Sequence, residues 1–150
     1  MSEPKQAIAN DQNLELQWAE NAGKFADMYE QLIVSADLEN NKYPRLTKDD
    51  DALLELVKKE IGDLEVRKVD VDDLKSEENK KRWQVFLEAH KDFVKDYNSG
   101  TLLRVDSQQR CGPSNATVVP RLQFYVIEAL RFRNGDNTEF KKKFEQQVSK

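Results

Sequence analysis

Large apolar residues recur at intervals of three and four along most of this chain, and this spacing is the feature that most constrains its fold. The clearest stretch carries an aromatic-rich stripe: Trp18, Ala22, Phe25, Tyr29 and Ile33. These positions fall on one face of an α-helix, whereas the opposite face carries charged and amide side chains. The spacing therefore predicts a long amphipathic helix that starts near Leu14 and packs its aromatic face into the core.

Two further segments show the same periodicity together with helix-capping residues. Thr47 is a candidate N-cap for a helix that ends at Gly62. Ser76 is a candidate N-cap for a helix whose apolar positions continue to Tyr97. Both segments are predicted to be amphipathic helices on the surface of the core.

The last two predicted helices differ in how apolar they are. Residues 120–133 are apolar on nearly every side, which predicts a helix buried at the centre of the domain. A final helix capped by Thr138 has only a narrow apolar stripe, formed by Phe140, Phe144 and Val148. We expect this final helix to dock weakly.

Strand character is confined to three short segments, residues 64–67, 101–106 and 116–119, of which the first two are expected to pair. The predicted fold class is α+β, with four or five helices around a two- or three-stranded β-sheet. We expect a flexible N-terminal tail over residues 1–13 and a single, predominantly helical domain over residues 14–150.

The charge balance argues against nucleic acid as a partner. The chain has 24 Lys and Arg against 28 Asp and Glu, a formal charge of −4, and its pI is about 5.2. Because phosphate affinity scales with the number of cations presented, we do not expect direct DNA binding. The Lys141–Lys143 cluster leaves an RNA-binding or ribosome-associated role as an alternative, and a solvated helix face is the simpler interpretation.

Few residues in the sequence are suited to metal or nucleophilic chemistry. His90 and Cys111 are the single histidine and cysteine, fewer than the ligands of a zinc site. The acidic run Asp49–Asp51 lacks the glycine turn and closing glutamate of a calcium loop, and it favours the start of a helix instead. The five glycines are too far apart for a phosphate-binding loop. We therefore expect no metal, no cofactor and no catalytic residue.

The hydropathy pattern predicts a protein of the cytoplasm, or of the cytoplasm and nucleus. The longest apolar run, Phe124–Ile127, is far shorter than the 20 or so residues that span a membrane. Residues 1–10 show no apolar stretch preceded by basic charge, so no secretory signal is expected. A single cysteine agrees with a reducing compartment.

Over about residues 14–135, the sequence resembles a known family. The most specific signal combines Gly-Thr-Leu-Leu-Arg at residues 100–104 with Pro-Arg-Leu-Gln-Phe at residues 120–124. Matching stretches precede it, from Trp18 to Asp51 and from Asp73 to Phe86, and Glu128 follows it. The chain is similar in these motifs to the eukaryotic polysaccharide-biosynthesis-domain-containing protein 1 family.

The resemblance implies a non-enzymatic cytosolic chaperone that binds newly made translation elongation factor 1-alpha. Such a chaperone holds the GTP-binding domain of its client during folding and releases it once GTP binds. It needs only a greater affinity for the nucleotide-free client than for the finished one. The alternative, suggested by the family name, is an enzyme or accessory factor of polysaccharide biosynthesis. We expect the protein to be a monomer.

The residues expected to contact the client are polar and aromatic members of the family motifs: Trp83, Tyr97, Arg104, Asp106, Arg121 and Gln123. The simpler interpretation pairs Arg104 or Arg121 with Asp106, which would tie the sheet to the buried helix. The exposed face of the first helix is another candidate for the client site. The acidic segment 63–78 would attract a basic client by electrostatic steering.

Overall fold

The computed structural model describes the backbone of residues 4–148 and the side chains of residues 13–145. In chain order the elements are α1 (Pro4–Ser35), α2 (Asp50–Glu60), α3 (Val71–Leu74), α4 (Glu77–Ala89), β1 (Gly100–Leu103), β2 (Thr117–Pro120), α5 (Arg121–Arg133) and α6 (Asp136–Val148).

Helix α1 begins at Pro4, well before the predicted start near Leu14. Proline suits the first turn of a helix because the amide hydrogen that it lacks would have no partner there. The helix thus overlaps the predicted tail; residues 1–3 lie outside the described part, and the flexibility of the tail stays a prediction. Tyr29 and Ile33 are buried as expected, whereas Trp18, at the other end of the stripe, is 40% exposed.

Two successive aspartates organise the start of α2. Asp49, rather than the predicted Thr47, is the N-cap, and its carboxylate accepts a hydrogen bond from the Ala52 amide. The Asp50 carboxylate accepts hydrogen bonds from the amides of Leu46 and Thr47 and from the Thr47 hydroxyl, so Thr47 acts in the turn before the helix. The predicted end at Gly62 is confirmed, since Gly62 takes a φ of 106° after the last turn.

Ser76 caps α4 as predicted, accepting a hydrogen bond from the Asn79 amide. The prediction that this helix continues to Tyr97 is wrong, because α4 ends at Ala89 and a 3₁₀ turn follows at Lys91–Phe93. The Phe93 carbonyl accepts a hydrogen bond from the Lys48 amide, so the chain turns away to meet the segment before α2. A tertiary contact therefore redirects a segment whose apolar spacing is helical.

The sheet has two antiparallel strands, with Gly100 opposite Pro120 and Leu103 opposite Thr117. The predicted strand at 64–67 does not form, although the segment lies beside residues 105–107 through a single bridge between Lys68 and Asp106. The carbonyl of Val66 accepts a hydrogen bond from the Arg131 side chain. That bond replaces a strand partner at this position.

Helix α5 is the central element, as its composition predicts, and it packs against α2, α4, α6 and both strands. Its end at Asn134–Gly135 is followed directly by α6, which begins at Asp136 and not at the predicted Thr138. The expectation of weak docking is wrong, because Phe140 and Phe144 are both buried in the main core cluster.

Two apolar clusters lie on either side of α5. One joins α1, β1 and α6, and the other joins α2 to Trp83, Phe86 and Leu87 of α4. With six helices and one two-stranded sheet in residues 4–148, the α+β, mainly helical class is confirmed. No helix of this part of the chain is both long enough and apolar enough to cross a membrane.

Candidate interaction site

A buried carboxylate, Glu128 of α5, is bound by two arginines at the centre of the molecule. Its Oε1 lies 3.0 Å from Nη2 of Arg104, and its Oε2 lies 2.8 Å from Nη1 of Arg131. Burial alone would raise the pKa of Glu128, but the two guanidinium groups outweigh it and bring the pKa to about 2. Glu128 is therefore a fixed negative charge at neutral pH.

Neutral groups complete this buried network. The Tyr29 hydroxyl and the Asn137 amide each donate to Oε1 of Glu128 at 3.0 Å. Burial, reinforced by the charge of Glu128, raises the pKa of the Tyr29 phenol well above its ordinary value of 10.0. Arg104 also donates to the Ser107 carbonyl.

The network joins α1, α5, α6 and the segment after β1, so it ties together parts of the chain that are remote in sequence. Its three charged side chains, Arg104, Glu128 and Arg131, all form hydrogen bonds within the protein and are shielded from solvent. Arg131, for example, also donates to the carbonyls of Val66 and Arg104. We interpret the network as architectural, since buried ion pairs of this kind fix one arrangement of elements more than they add stability.

Two of the predicted contact residues, Arg104 and Asp106, are held by hydrogen bonds within the protein. Arg104 is 3% exposed and pairs with Glu128, so the expected pairing of Arg104 or Arg121 with Asp106 is wrong. Asp106 instead accepts a hydrogen bond from the Gln108 amide, and its own amide donates to Asn115. Asp106 thereby organises the loop between the strands.

Trp83 and Gln123 meet in an open groove between α4 and β2. The groove has a volume of about 240 Å³, with apolar walls from Trp83, Leu87 and residues 118–120. We call it the α4–β2 groove. Its rim carries polar and charged side chains: Lys75, Lys80, Glu88 and Asn98.

Gln123 is the polar group of the groove floor. Its side chain is only 5% exposed and makes no hydrogen bond to any other residue of the described chain. The Nε of Arg121 is the one fully shielded side-chain nitrogen or oxygen without a partner in that part, so the Gln123 amide keeps contact with the open groove. An amide in this position can both donate to and accept from a bound group.

Tyr97 does not line the groove, but it joins a groove residue to the start of α5. Its hydroxyl donates to Oε1 of the rim residue Glu88 at 2.7 Å, and this bond raises the pKa of the phenol. Its carbonyl accepts a hydrogen bond from the Leu122 amide in the first turn of α5. Tyr97 therefore positions the groove edge.

Arg121 lines a second, smaller cavity of about 160 Å³ on the other side of the strands. Its guanidinium carbon lies 5.1 Å from the centre of the Phe25 ring, a cation–π arrangement. Gly100, between the two cavities, is packed closely: a side-chain carbon there would lie 3.2 Å from Val118 and 3.3 Å from Trp18. Trp18 and Val118 thus form an exposed apolar ridge over Gly100.

A third cavity, of about 170 Å³, adjoins the α4–β2 groove, with which it shares Leu74 and Trp83. Four carboxylates line it: Asp63, Glu65, Asp70 and Asp73. We call it the acidic cleft. Its one arginine, Arg82, donates to the Ile61 carbonyl and the Asn79 side chain and forms no ion pair with these carboxylates.

The residues suited to reaction chemistry lie apart from these cavities. His90 packs on Phe86 and contacts the Glu60 carboxylate at 3.0 Å, and burial raises the pKa of the Cys111 thiol. Among the described residues, no three His, Cys, Asp or Glu side chains are grouped to hold a metal ion.

In the basic cluster Lys141 is buried and donates to the Ala36 carbonyl, which removes it from an exposed basic patch.

The structure thus brings together four of the six predicted contact residues around the start of α5. It also shows a residue that sequence reasoning had not assigned to a site, Glu128, and it gathers four carboxylates of the acidic segment 63–78 in one cleft. A signal for Glu128 was available, because the one carboxylate in a helix that is apolar on nearly every side is expected to be buried and therefore paired. The groove itself depends on packing between remote elements and left no local signal.

Comparison with known proteins gives a consistent match over most of the chain. A family model described as PBDC1 protein matches residues 14–142. Protein PBDC1 of Mus musculus is 37% identical over 137 residues, covering 91% of this chain and 68% of the relative. Protein PBDC1 of Homo sapiens is 36% identical, and this chain spans 58% of its length.

Fungal proteins match at similar identity and over more of their own length. The PBDC1 homolog of Saccharomyces cerevisiae is 37% identical, with 85% of this chain and 88% of the relative covered. The solution NMR structure of the S. cerevisiae protein yst0336 has a TM-score of 0.75 at 34% identity, covering 87% of this chain and 90% of that one. Sequence and fold agree, and the chain belongs to the PBDC1 family, as its motifs indicate.

Proposed function

We propose that this protein is a non-enzymatic chaperone that binds newly made translation elongation factor 1-alpha and assists its folding. The observation that supports this proposal best is the placement of Trp83, Gln123 and Arg121. These motif residues line open cavities with both apolar and polar walls at the start of α5. A surface of this kind suits the temporary binding of an unfinished protein.

The physical basis is a difference in affinity between two states of the client. A GTPase domain without nucleotide has unordered switch segments and exposes apolar surface that the finished domain covers. The α4–β2 groove offers apolar walls to such a segment. When GTP orders the segment, the client conformation that the chaperone binds becomes rare. The chaperone then dissociates without hydrolysing GTP itself.

The charge distribution supports the same proposal. The acidic cleft lies beside the groove and belongs to the acidic segment 63–78. Elongation factor 1-alpha is expected to be basic, so long-range attraction would speed the encounter. A newly made client also places the site of action in the cytoplasm, close to the ribosome.

A pulldown from translating lysate, with and without added GTP, tests the proposal. We expect recovery of elongation factor 1-alpha when nucleotide is scarce and its loss when GTP is added. Equal recovery in both conditions would contradict release by GTP. No recovery in either condition would contradict the proposal that the protein binds elongation factor 1-alpha. Turnover of a sugar nucleotide by the purified protein would instead favour polysaccharide biosynthesis.

A further inference from the structure

The α4–β2 groove combines apolar walls with one amide side chain, that of Gln123, that is nearly buried. Gln123 is 95% buried, has no hydrogen-bond partner in the described chain and lines the groove together with Trp83 and Val119. The amide keeps contact with solvent in the groove, so a bound group that offers matching hydrogen bonds can replace the water there. Because the amide offers both a donor and an acceptor, the group that matches it best is a peptide bond.

The second edge of β2 borders this groove and is unpaired in the described chain. Pro120 has no amide hydrogen, so Gly100 and Pro120 cannot exchange a pair of hydrogen bonds. Hydrogen-bonded and non-hydrogen-bonded pairs alternate along an antiparallel ladder, so Leu102 and Val118, two residues further along, are not hydrogen-bonded to each other either. The amide and carbonyl of Val118 therefore point away from β1. An unpaired edge beside an apolar channel is the arrangement that accepts an added strand.

The acidic cleft determines which kind of segment fits. It opens at the same two residues, Leu74 and Trp83, that line the groove. Four carboxylates face one arginine there, and none of the four forms an ion pair within residues 13–145. Although Lys75 and Lys80 lie on the rim of the groove, the cleft itself has four carboxylates against one arginine, and this excess of negative charge favours Lys or Arg in a segment that extends past Trp83.

We propose that the α4–β2 groove and the acidic cleft form one docking site for an extended segment of the nucleotide-free client. The segment adds as a strand to the open edge of β2 and hydrogen-bonds to Val118 and Gln123. It places a large apolar side chain against Trp83 and a Lys or Arg side chain in the acidic cleft. The inference rests on the proposed function and adds to it how the client is bound.

The test uses the full chain and the nucleotide-free GTP-binding domain of elongation factor 1-alpha. Gln123→Leu removes the amide at nearly constant volume, and Val118→Lys places a cation beside the open edge. We expect each change to weaken binding about tenfold or more. Val85→Lys is the matched control, because Val85 is an exposed valine of α4 outside the groove, and it should bind as the unchanged protein does.

The acidic cleft is tested by the pair Asp63→Asn and Asp70→Asn. Asparagine keeps the helix-capping ability of Asp70, whose carboxylate accepts from the Asp73 amide, so folding should be preserved. We expect slower association and weaker binding than for the control Asp92→Asn. Circular dichroism melting of all variants verifies that each is folded.

A measurement that needs no substitution accompanies the variants. In an amide-detected NMR titration, the Gln123 side-chain amide, the Trp83 indole and the Val118 amide should shift when the client domain is added. Shifts confined to other surfaces, or full affinity of both groove variants, would overturn the docking site while leaving the proposed function intact. No binding of the client domain to the unchanged protein would instead contradict the proposed function.

The extended form of the segment has its own test. Overlapping peptides of about 12 residues, twice a typical strand length, can tile the client domain. We expect binding by peptides that carry a large apolar residue followed by Lys or Arg, and a loss of about tenfold when that cation is changed to Glu. If the intact domain binds at the groove but no peptide does, added-strand docking is wrong.

Discussion

Glu128 and Arg131, one turn apart on α5, form an ion pair in which both side chains are completely shielded from water, with Oε2 2.8 Å from Nη1. Arg104 approaches the same carboxylate from the segment after β1. One negative charge thus holds two positive charges inside the protein. Removing it leaves both guanidinium groups without a counter-ion in a medium that solvates charge poorly.

Glu128→Gln should therefore be strongly destabilising. We expect the free energy of unfolding to fall by about 3–5 kcal/mol, the usual cost of removing one partner from a buried pair. Denaturant unfolding measures it. Glu20→Gln is the control, because the Glu20–Lys24 pair is exposed and its loss should cost less than about 0.5 kcal/mol. An equal loss of unfolding free energy in the two variants would show that removing a carboxylate from the buried network costs no more than removing one from the surface.

The same carboxylate predicts how stability responds to acid. The folded pKa of Glu128 is about 2, below its ordinary value of 4.5, so its contribution is complete above 4.5 and is lost as the pH falls through 2. Asp136 has the opposite effect on stability: burial raises its pKa, so its ionisation opposes folding as the pH rises. A ¹³C titration of the Glu128 carboxyl group should show a midpoint near 2. A midpoint near 4.5 would mean that the two arginines do not hold the charge.

Gly100→Ala should displace an indole ring while preserving the strand. The added carbon would lie 3.3 Å from Trp18 and 3.2 Å from Val118, and Trp18 is free to move outward because it is 40% exposed. We expect a stability change within about 1 kcal/mol. Of the two indole signals in an NMR spectrum, that of Trp18 should shift and that of Trp83 should not. Shifts throughout β1 and β2 would contradict this expectation.

Arg121→Met should separate binding from stability. The Nε of Arg121 is shielded and has no acceptor, so replacement by an apolar side chain removes an unsatisfied donor and should change stability by less than about 1 kcal/mol. Binding of the client domain should weaken, since the guanidinium lines the cavity beside the ridge. Calorimetric melting and a binding titration are compared. A large loss of stability with unchanged binding would make Arg121 a structural residue.

Association with the client should slow as salt is added. The steering field comes from exposed carboxylates such as those of Asp63, Asp72 and Glu78, which mobile ions screen over about 10 Å at 0.1 M. Stopped-flow rates measured across a range of NaCl concentrations should fall, whereas the dissociation rate should change little. An association rate independent of salt would exclude steering by this segment.

The fold class and some of the helix ends could be predicted because they depend on neighbours in the sequence. Ser76 caps α4 through an amide three residues away, and Gly62 ends α2 in a conformation that other residues avoid. Helical spacing also identified α5 as the buried centre. The wrong prediction that α4 continues to Tyr97 arose because a remote contact overrode a local preference: the Lys48 amide bonds to the Phe93 carbonyl beyond the early end of α4.

The amino-acid sequence by itself determined the caps, the apolar faces and the α+β class, since each of these is decided within about one helical turn. Only the tertiary structure decided that Tyr29 meets Glu128 across 99 residues, that Arg104 pairs with Glu128 and not with Asp106, and that Gln123 opens toward Trp83. A buried charge or amide binds whichever group the packed elements bring within about 3 Å. That choice depends on how the whole chain packs and not on the spacing of residues along it.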